Sequence, residues 1–352
     1  MTKSIDCDIH PALASVKELI PFLDPYWREM EESRGTNALY MSSYPPAMPL
    51  SAGLGWKTGD PLPGADVEAV RRQVLDVGGC DAAVCNLLSG AAMVANPYYA
   101  AALCRAMNDW LAETWLAQDR RFRGSLVVPI NNVPAAVEEI ERRAGDYRFV
   151  QVLLYLGGET PLGRMQFWPI YEAAEKADFT IGIHPGTAYR HAPTPTGWPS
   201  FRAEDYANIP PAFEGQLMSL ISEGVFQKYP KLRVVILESG VTWLPVFMWR
   251  YAKLWRGTRR ETPWLDRSPD EIIRQQVFAS IAPIDAADPV RGIERLCEAA
   301  GSDGMWLYAS DYPHWQFDDP DPFHGLPSSL RERFATENPR SAYPRIARIL
   351  NV

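Results

Sequence analysis

The chain has 352 residues, of which 47% are hydrophobic and 22% are charged, and its formal net charge is -8. This composition is too apolar for an intrinsically disordered protein, and the acidic excess argues against a nucleic-acid-binding protein, which needs a basic surface. Five cysteines do not make a disulfide scaffold, and no apolar run reaches the length of a membrane span. We therefore expect a cytoplasmic protein that binds neither nucleic acid nor a membrane.

Short apolar segments rich in Val, Ile, Leu and aromatic residues recur along the chain. Their polar and apolar residues do not alternate strongly, which is typical of parallel strands covered on both faces. The predicted strands span residues 5–10, 82–87, 125–130, 149–155, 179–184, 233–238, 277–281 and 305–311. Segments with helical apolar spacing lie between them, at residues 66–77, 97–116, 134–144, 167–176, 213–222, 242–254 and 289–299.

The alternation of these strands and helices predicts an α/β fold, a (β/α)8 TIM barrel that forms a single domain over residues 1–352. The glycine-rich dinucleotide fingerprint is absent after the first strand, which disfavours a nicotinamide cofactor. Two connections, 24–64 after the first strand and 189–211 after the fifth, are too long for plain turns. Because loops that follow barrel strands form the catalytic face, we expect lids or pocket walls here. Surface decoration or a dimer contact is the alternative.

The first predicted strand ends with a carboxylate and an imidazole two residues apart, Asp8 and His10. Residues two apart in a strand point to the same face, so both side chains project toward the barrel axis, with Asp6 below them. A carboxylate beside an imidazole suits a divalent cation such as Zn²⁺ or Mn²⁺. The sequence therefore predicts one divalent metal ion near this strand end.

Three more ionisable residues end predicted strands: His184 the fifth, Glu238 the sixth and Asp311 the eighth. A carboxylate at the end of a buried apolar strand is poorly solvated unless it is paired or bound to metal. A lone histidine in such a place is commonly a satisfied core group. The carboxyl ends of barrel strands share one rim, however, so these side chains are expected to converge there with those of the first strand.

Other polar residues near strand ends are candidates for substrate binding. Asn86 and Tyr155 lie at the ends of the second and fourth predicted strands, where they are expected to line the cavity. His314 follows Asp311 by three residues, which places it either against the metal ligands or in a structural loop contact.

Three arginines are candidates for holding a substrate carboxylate through two parallel hydrogen bonds. They are Arg190, Arg202 and Arg250, and for each of them a surface ion pair is the alternative. The region of Trp255 and Trp264 is a candidate contact in a homodimer.

Four sequence motifs, in this order along nearly the whole chain, resemble the amidohydrolase superfamily. The branch is the one that includes enzymes similar to aminocarboxymuconate semialdehyde decarboxylase. The motifs are Ile5-Asp6-Cys7-Asp8-Ile9-His10, His184-Pro185-Gly186, the segment 229–235 leading into Glu238-Ser239-Gly240, and Ser310-Asp311-Tyr312-Pro313-His314.

The resemblance implies a mononuclear metal site with Asp8, His10, His184 and Asp311 as its ligands. Two positions depart from the pattern of this branch. Asp8 stands where a histidine is frequent, although a carboxylate also occurs there. Glu238 stands where a histidine often acts as acid or base, which weakens the implication of a histidine-based decarboxylase mechanism.

Together, the residues and the resemblance favour a metal-dependent hydrolase acting on a small carboxylate-bearing or cyclic molecule. In this hypothesis Asp311 takes the proton of a water that the metal activates and passes it to the leaving group. Glu238 serves as a second acid or base, or it orients the substrate. The first alternative is a metal-dependent decarboxylase of an aromatic or dienoic acid, in which Asp311 or Glu238 protonates the ring carbon. The second is a metal-free lactonase or a non-catalytic barrel.

Overall fold

The computed structural model describes residues 4–36, 39, 63–186, 194–314 and 325–350. Its centre is a sheet of eight parallel strands in chain order. They are β1 (Ser4–Ile9), β2 (Cys80–Cys85), β3 (Phe122–Val127), β4 (Phe149–Tyr155), β5 (Thr180–His184), β6 (Val234–Ile236), β7 (Val277–Ser280) and β8 (Trp306–Leu307). The N–H of Cys7 donates to the Tyr308 carbonyl and that of His10 to the Tyr312 carbonyl, so β1 closes the ring onto the β8 side. The predicted (β/α)8 barrel is confirmed.

Helices surround this barrel, and several begin with proline in the first turn behind an asparagine or aspartate cap, as at Asn96 and Asn132. They are α1 (Pro25–Arg34), α2 (Val67–Val70), α3 (Pro97–Thr114), α4 (Val133–Arg143), α5 (Trp168–Lys176), α6 (Arg202–Ala207), α7 (Ile209–Ser222), α8 (Val225–Lys228), α9 (Trp243–Thr258), α10 (Pro269–Gln276), α11 (Pro289–Ala300), α12 (Ser328–Glu332), α13 (Asn338–Ala342) and α14 (Pro344–Leu350). Short 3-10 segments lie at Val16–Phe22, Gly90–Met93, Met165–Phe167 and Arg259–Glu261, and π-helical turns at Arg71–Val77 and Arg333–Glu337. Among the described residues, no helix is both long and apolar enough to cross a bilayer.

The long connections are more structured than the sequence predicts. The predicted loop 24–64 contains α1, and the part of it at 37–38 and 40–62 lies outside the described residues. The predicted loop 189–211 contains α6 and the start of α7, while its residues 189–193 lie outside the described part of the chain. The helices from α12 onward have no counterpart in the sequence prediction.

Strands β6 and β8 end earlier than the apolar pattern predicts. Glu238 and Asp311 have φ angles of 48° and 53°, in the left-handed region that residues other than glycine rarely adopt. An extended strand cannot continue through such a residue, so the chain turns at each of them. Both residues are predicted site carboxylates, and backbone strain of this kind concentrates at functional positions.

Polar side chains fill part of the barrel interior. Gln151 on β4 is fully buried, and its amide lies against Gly182 on β5, where a Cβ atom would come within 2.3 Å of the carboxamide carbon. Glycine at this position therefore leaves room for a hydrogen-bonding side chain inside the barrel. Gln151 donates to Asn86, which in turn donates to Asp8 near the carboxyl end of β1.

Candidate metal centre

Two strand ends and the turn after β8 bring four of the predicted ligands together. His10 Nε2 lies 3.4 Å from Asp8 Oδ1 and 2.9 Å from Asp311 Oδ1. His184 Nε2 lies 3.8 Å from Asp8 Oδ2. Each of these residues is at most 3% exposed. The alternation of β1 and the shared rim of parallel strands thus place two carboxylates and two imidazoles in one buried cluster.

Glu238 and His314 extend the cluster. Glu238 Oε2 lies 3.2 Å from His184 Nε2, and the Glu238 backbone N–H donates to Ser280 Oγ at 3.1 Å. His314 Nδ1 lies 2.7 Å from Asp311 Oδ1, and the His314 ring stacks on that of His10 with centroids 4.6 Å apart. The sequence predicted Glu238 as an acid or base, and His314 either against the metal ligands or in a structural loop contact; both lie within contact of the predicted ligands.

The donor atoms fit a divalent cation. Four buried atoms of the cluster have no hydrogen-bond partner among the described residues: Asp8 Oδ2, His184 Nε2, Asp311 Oδ2 and His314 Nε2. Buried polar atoms are nearly always paired, so several unpaired ones facing each other need a shared partner. Candidate ligand atoms of Asp8, His10 and His184 lie within 4.8 Å of one another, as do those of His10, Glu238, Asp311 and His314. Carboxylate and imidazole donors at this spacing suit Mn²⁺ or Zn²⁺.

Burial and mutual charge perturb the ionisation of the cluster. Burial raises the pKa of Asp8, although the neighbouring histidines oppose this effect. Burial alone would lower the pKa of His10, but the carboxylates of Asp8 and Asp311 outweigh it and raise that pKa to about 10. The pKa of Asp311 lies well below its usual range because His314 and His10 outweigh the effect of burial. Without a metal ion, protons on histidine therefore balance the charge of the carboxylates.

Asn86, which the sequence predicts to line the substrate cavity, lies beneath the cluster. It is fully buried, and its Nδ2 donates to Asp8 Oδ1 at 2.8 Å. Its Oδ1 accepts hydrogen bonds from Ser125 and Gln151. Its backbone carbonyl lies 3.1 Å from His10 Nδ1. No face of the amide is left for substrate, and the residue instead holds both side chains of β1.

The other predicted substrate-binding residues are placed differently. Tyr155 is on the wall of a cavity of about 250 Å³, with its hydroxyl donating to the Leu87 carbonyl at 2.9 Å. Arg250 is exposed and lies about 10 Å along α9, which leads away from the rim at Glu238. Within this chain it does not join the cluster, so its role in substrate binding stays a prediction. Arg190 lies outside the described residues.

A second cavity, of about 290 Å³, adjoins the end of β5 and includes Pro185 and Gly186, which directly follow His184. Helix α6 supplies Asp205 to its lining. The sequence predicted the segment 189–211 as a lid or pocket wall and Arg202 as a candidate for binding a carboxylate, but it did not predict that these residues form a helix. A signal for it was present, because Glu204 accepts hydrogen bonds from the backbone at the start of α6 in the manner of a helix cap.

A parallel barrel with ionisable side chains converging at the carboxyl ends of its strands defines the class of TIM-barrel enzymes. The chain belongs to the amidohydrolase family, whose model matches residues 5–345. Gamma-resorcylate decarboxylase from Polaromonas sp. strain JS666 is 27% identical over 213 residues, which cover 56% of this chain and 64% of that protein. The match thus spans slightly less than two thirds of this curated relative.

Solved structures share the whole barrel. A dihydroxybenzoic acid decarboxylase from Polaromonas sp. JS666, with bound manganese and the inhibitor 2-nitroresorcinol, has a TM-score of 0.68 at 19% identity, over 98% of this chain and 97% of that one. A 5-carboxyvanillate decarboxylase from Novosphingobium aromaticivorans, complexed with manganese and 4-hydroxy-3-methoxy-5-nitrobenzoic acid, has a TM-score of 0.70 at 18% identity, over 97% and 96%. At these identities the likeness extends to the fold alone.

Proposed function

We propose that this protein is a metal-dependent carboxy-lyase that removes a carboxylate from a hydroxylated aromatic acid. The observation that carries the proposal is the buried cluster of Asp8, His10, His184 and Asp311, with its unpaired donor atoms. The decarboxylase relatives favour this chemistry, the first alternative from the sequence, over the hydrolase that the sequence favoured. The unpaired donors also disfavour the metal-free alternative.

In this proposal Asp8, His10, His184 and Asp311 hold one divalent cation. Manganese is preferred to zinc, since manganese is bound in the decarboxylase structures compared above. Bound there, the cation acts as a Lewis acid toward oxygen atoms of the substrate.

The chain's own carboxyl groups handle the proton. When the bond between the ring carbon and the carboxylate breaks, carbon dioxide leaves and the electron pair stays on the ring carbon, which then needs a proton. Asp311 and Glu238 are the carboxyl groups of the cluster that we assign to this transfer. Asp311 contacts His314, which is not one of the proposed ligands, so a proton can be restored to Asp311 after turnover. Glu238 contacts His184 through Nε2, the atom that would bind the cation, so its proton has to come from another group or from solvent. Glu238 thus takes the place of the histidine frequent in this branch.

The experiment that tests the proposal is carbon dioxide release from a panel of hydroxybenzoates. Protein loaded with Mn²⁺ is expected to release carbon dioxide from at least one of 2,6-dihydroxybenzoate, 5-carboxyvanillate and related acids, and chelation should stop the reaction. Parallel assays with lactones and amides measure hydrolysis. Hydrolysis without carbon dioxide release would support the hydrolase instead, and activity that survives chelation would support the metal-free alternative.

Metal binding is expected to depend on pH. A cation can bind His10 Nε2 only after a proton leaves, and the pKa of His10 is raised to about 10 in the metal-free chain. Affinity for Mn²⁺ should therefore increase by about tenfold per pH unit between pH 7 and pH 9 for one displaced proton, and level off above the pKa of His10. Calorimetric titration in buffers of different ionisation enthalpy measures both the affinity and the protons released. An affinity that is constant across this range would contradict the expectation.

A further inference from the structure

Helix α6 lies against the cavity at the end of β5, the strand that carries His184. Asp205 and Asn208, in and just after this helix, line the cavity of about 290 Å³ together with Pro185 and Gly186. Those two residues directly follow His184 in the chain. Side chains of α6 therefore border the space next to the proposed metal ligands.

Arg202 is the first residue of α6, and its guanidinium contacts Tyr206 while one of its nitrogens, Nη1, has no hydrogen-bond partner among the described residues. Its Cζ lies 4.6 Å from the centroid of the Tyr206 ring, and its Nη2 donates to Tyr206 Oη at 2.9 Å. Its Nη1 is buried and has no hydrogen-bond partner among the described residues. A buried guanidinium nitrogen without an acceptor is costly, and the planar guanidinium is suited to carboxylate oxygens.

Tyr206, which holds the Arg202 guanidinium, interacts electrostatically with two carboxylates of the cluster. Burial raises the pKa of Tyr206, and the carboxylates of Glu238 and Asp311 raise it further. The phenol is therefore within the range of charge interactions with both carboxylates. The hydrogen bond from Arg202 to Tyr206 Oη keeps the positive charge of the arginine in the same neighbourhood.

The negative charge of the cluster favours a positively charged side chain next to a bound substrate carboxylate. Asp8, Glu238 and Asp311 supply three carboxylates, which exceed the charge of one divalent cation. An incoming carboxylate is therefore repelled unless a further positive group faces it. Arg202 is a positive group with an unpaired buried nitrogen beside this cluster.

We propose that Arg202, held by stacking on Tyr206, binds a carboxylate of the substrate and so selects aromatic acids over neutral phenols. This assignment rests on the proposed function for the identity of the reaction, but it makes its own claim about ligand binding. The matching ligand is an aryl carboxylate, whose two oxygens accept from the guanidinium, while the corresponding phenol offers it no anion.

The test compares two ligands that differ only by a carboxylate, 2,6-dihydroxybenzoate and resorcinol, by calorimetric titration of the Mn²⁺-loaded protein. In Arg202→Gln the dissociation constant for 2,6-dihydroxybenzoate should increase by about 10- to 100-fold, as for loss of a hydrogen bond to a charged group. The dissociation constant for resorcinol should stay within about twofold. Arg202→Lys should fall between Arg202→Gln and the native protein, because it keeps the charge but loses the planar fork.

A matched control is Arg348→Gln, which removes an exposed arginine that pairs with Asp178 on the outer surface. It should change the affinity for neither ligand. Manganese content, measured in every variant, shows that the metal site is intact. An equal loss of affinity for both ligands in Arg202→Gln, an unchanged affinity for 2,6-dihydroxybenzoate, or failure of the native protein to bind this ligand would each overturn the assignment.

The outcomes separate this assignment from the proposed function. Suppose that 2,6-dihydroxybenzoate binds in an Arg202-dependent way but no acid in the panel releases carbon dioxide. This result would reject the carboxy-lyase and keep Arg202 as the residue that binds the carboxylate. Suppose instead that Arg202→Gln releases carbon dioxide as fast as the native protein at low substrate concentration. This result would keep the carboxy-lyase and reject the role of Arg202 in binding the carboxylate.

Discussion

Asp311→Asn is expected to lower turnover by about 10³-fold while the protein remains folded. Asp311 Oδ1 contacts both His10 Nε2 and His314 Nδ1, and Oδ2 has no partner among the described residues. The amide keeps the shape of the carboxylate but can neither give up an acidic proton nor neutralise the cation. Proton transfer to the ring carbon and metal affinity should therefore both fall.

The measurement is the rate of carbon dioxide release at saturating Mn²⁺, with thermal unfolding followed in parallel. The matched control is Glu139→Gln, since Glu139 is also a buried carboxylate but accepts hydrogen bonds from Asn108 and Arg142 outside the cluster. This variant should retain turnover even if its melting temperature falls. Turnover at the native rate in Asp311→Asn would remove Asp311 from the mechanism.

The barrel and the centre of the site are predictable from local sequence signals. Buried parallel strands are short apolar runs, and alternation within one strand fixes that Asp8 and His10 share a face. The carboxyl ends of barrel strands meet at one rim, so His184 and Asp311 are expected near them without knowledge of any distance. These inferences use only periodicity and topology, which are properties of the chain itself.

Contacts between side chains on neighbouring strands are not predictable from periodicity and topology. Asn86 looked like a cavity residue because it follows a strand, but the pairing of Ile9 with Cys85 sets it directly below Asp8. Strands β6 and β8 end at Ile236 and Leu307, and the positive φ angles follow at Glu238 and Asp311; neither feature is signalled by the residue types.

The short helix α6 was missed for a different reason. Six residues carry too little periodicity to separate a helix from a loop, and its stability comes from its cap and from tertiary contacts. Arg250 is a different case, because its helix was predicted at residues 242–254, but its exposure follows from the packing of α9. The local structure around candidate residues outside the strands is therefore the least predictable part of this site.

Asn86→Leu is expected to weaken Mn²⁺ binding by about 10- to 100-fold, the effect usual for loss of a group that orients metal ligands. The Asn86 amide donates to Asp8 Oδ1, which leaves Oδ2 as the carboxylate atom without a partner among the described residues. Leucine has a similar size but cannot donate, so Asp8 becomes free to rotate and its buried charge loses a hydrogen bond. The backbone carbonyl that faces His10 Nδ1 remains, so the orientation of that ring should survive.

A matched control separates ligand orientation from simple loss of a buried amide. Asn108 is also fully buried, and its amide bonds the Val127 backbone and Glu139 away from the metal ligands. Asn108→Leu should lower the melting temperature to a similar extent but leave the dissociation constant for Mn²⁺ unchanged. Calorimetric titration of both variants distinguishes the two effects. An equal loss of metal affinity in both would mean that general destabilisation is responsible, whereas a selective loss in Asn86→Leu identifies Asn86 as the residue that positions Asp8.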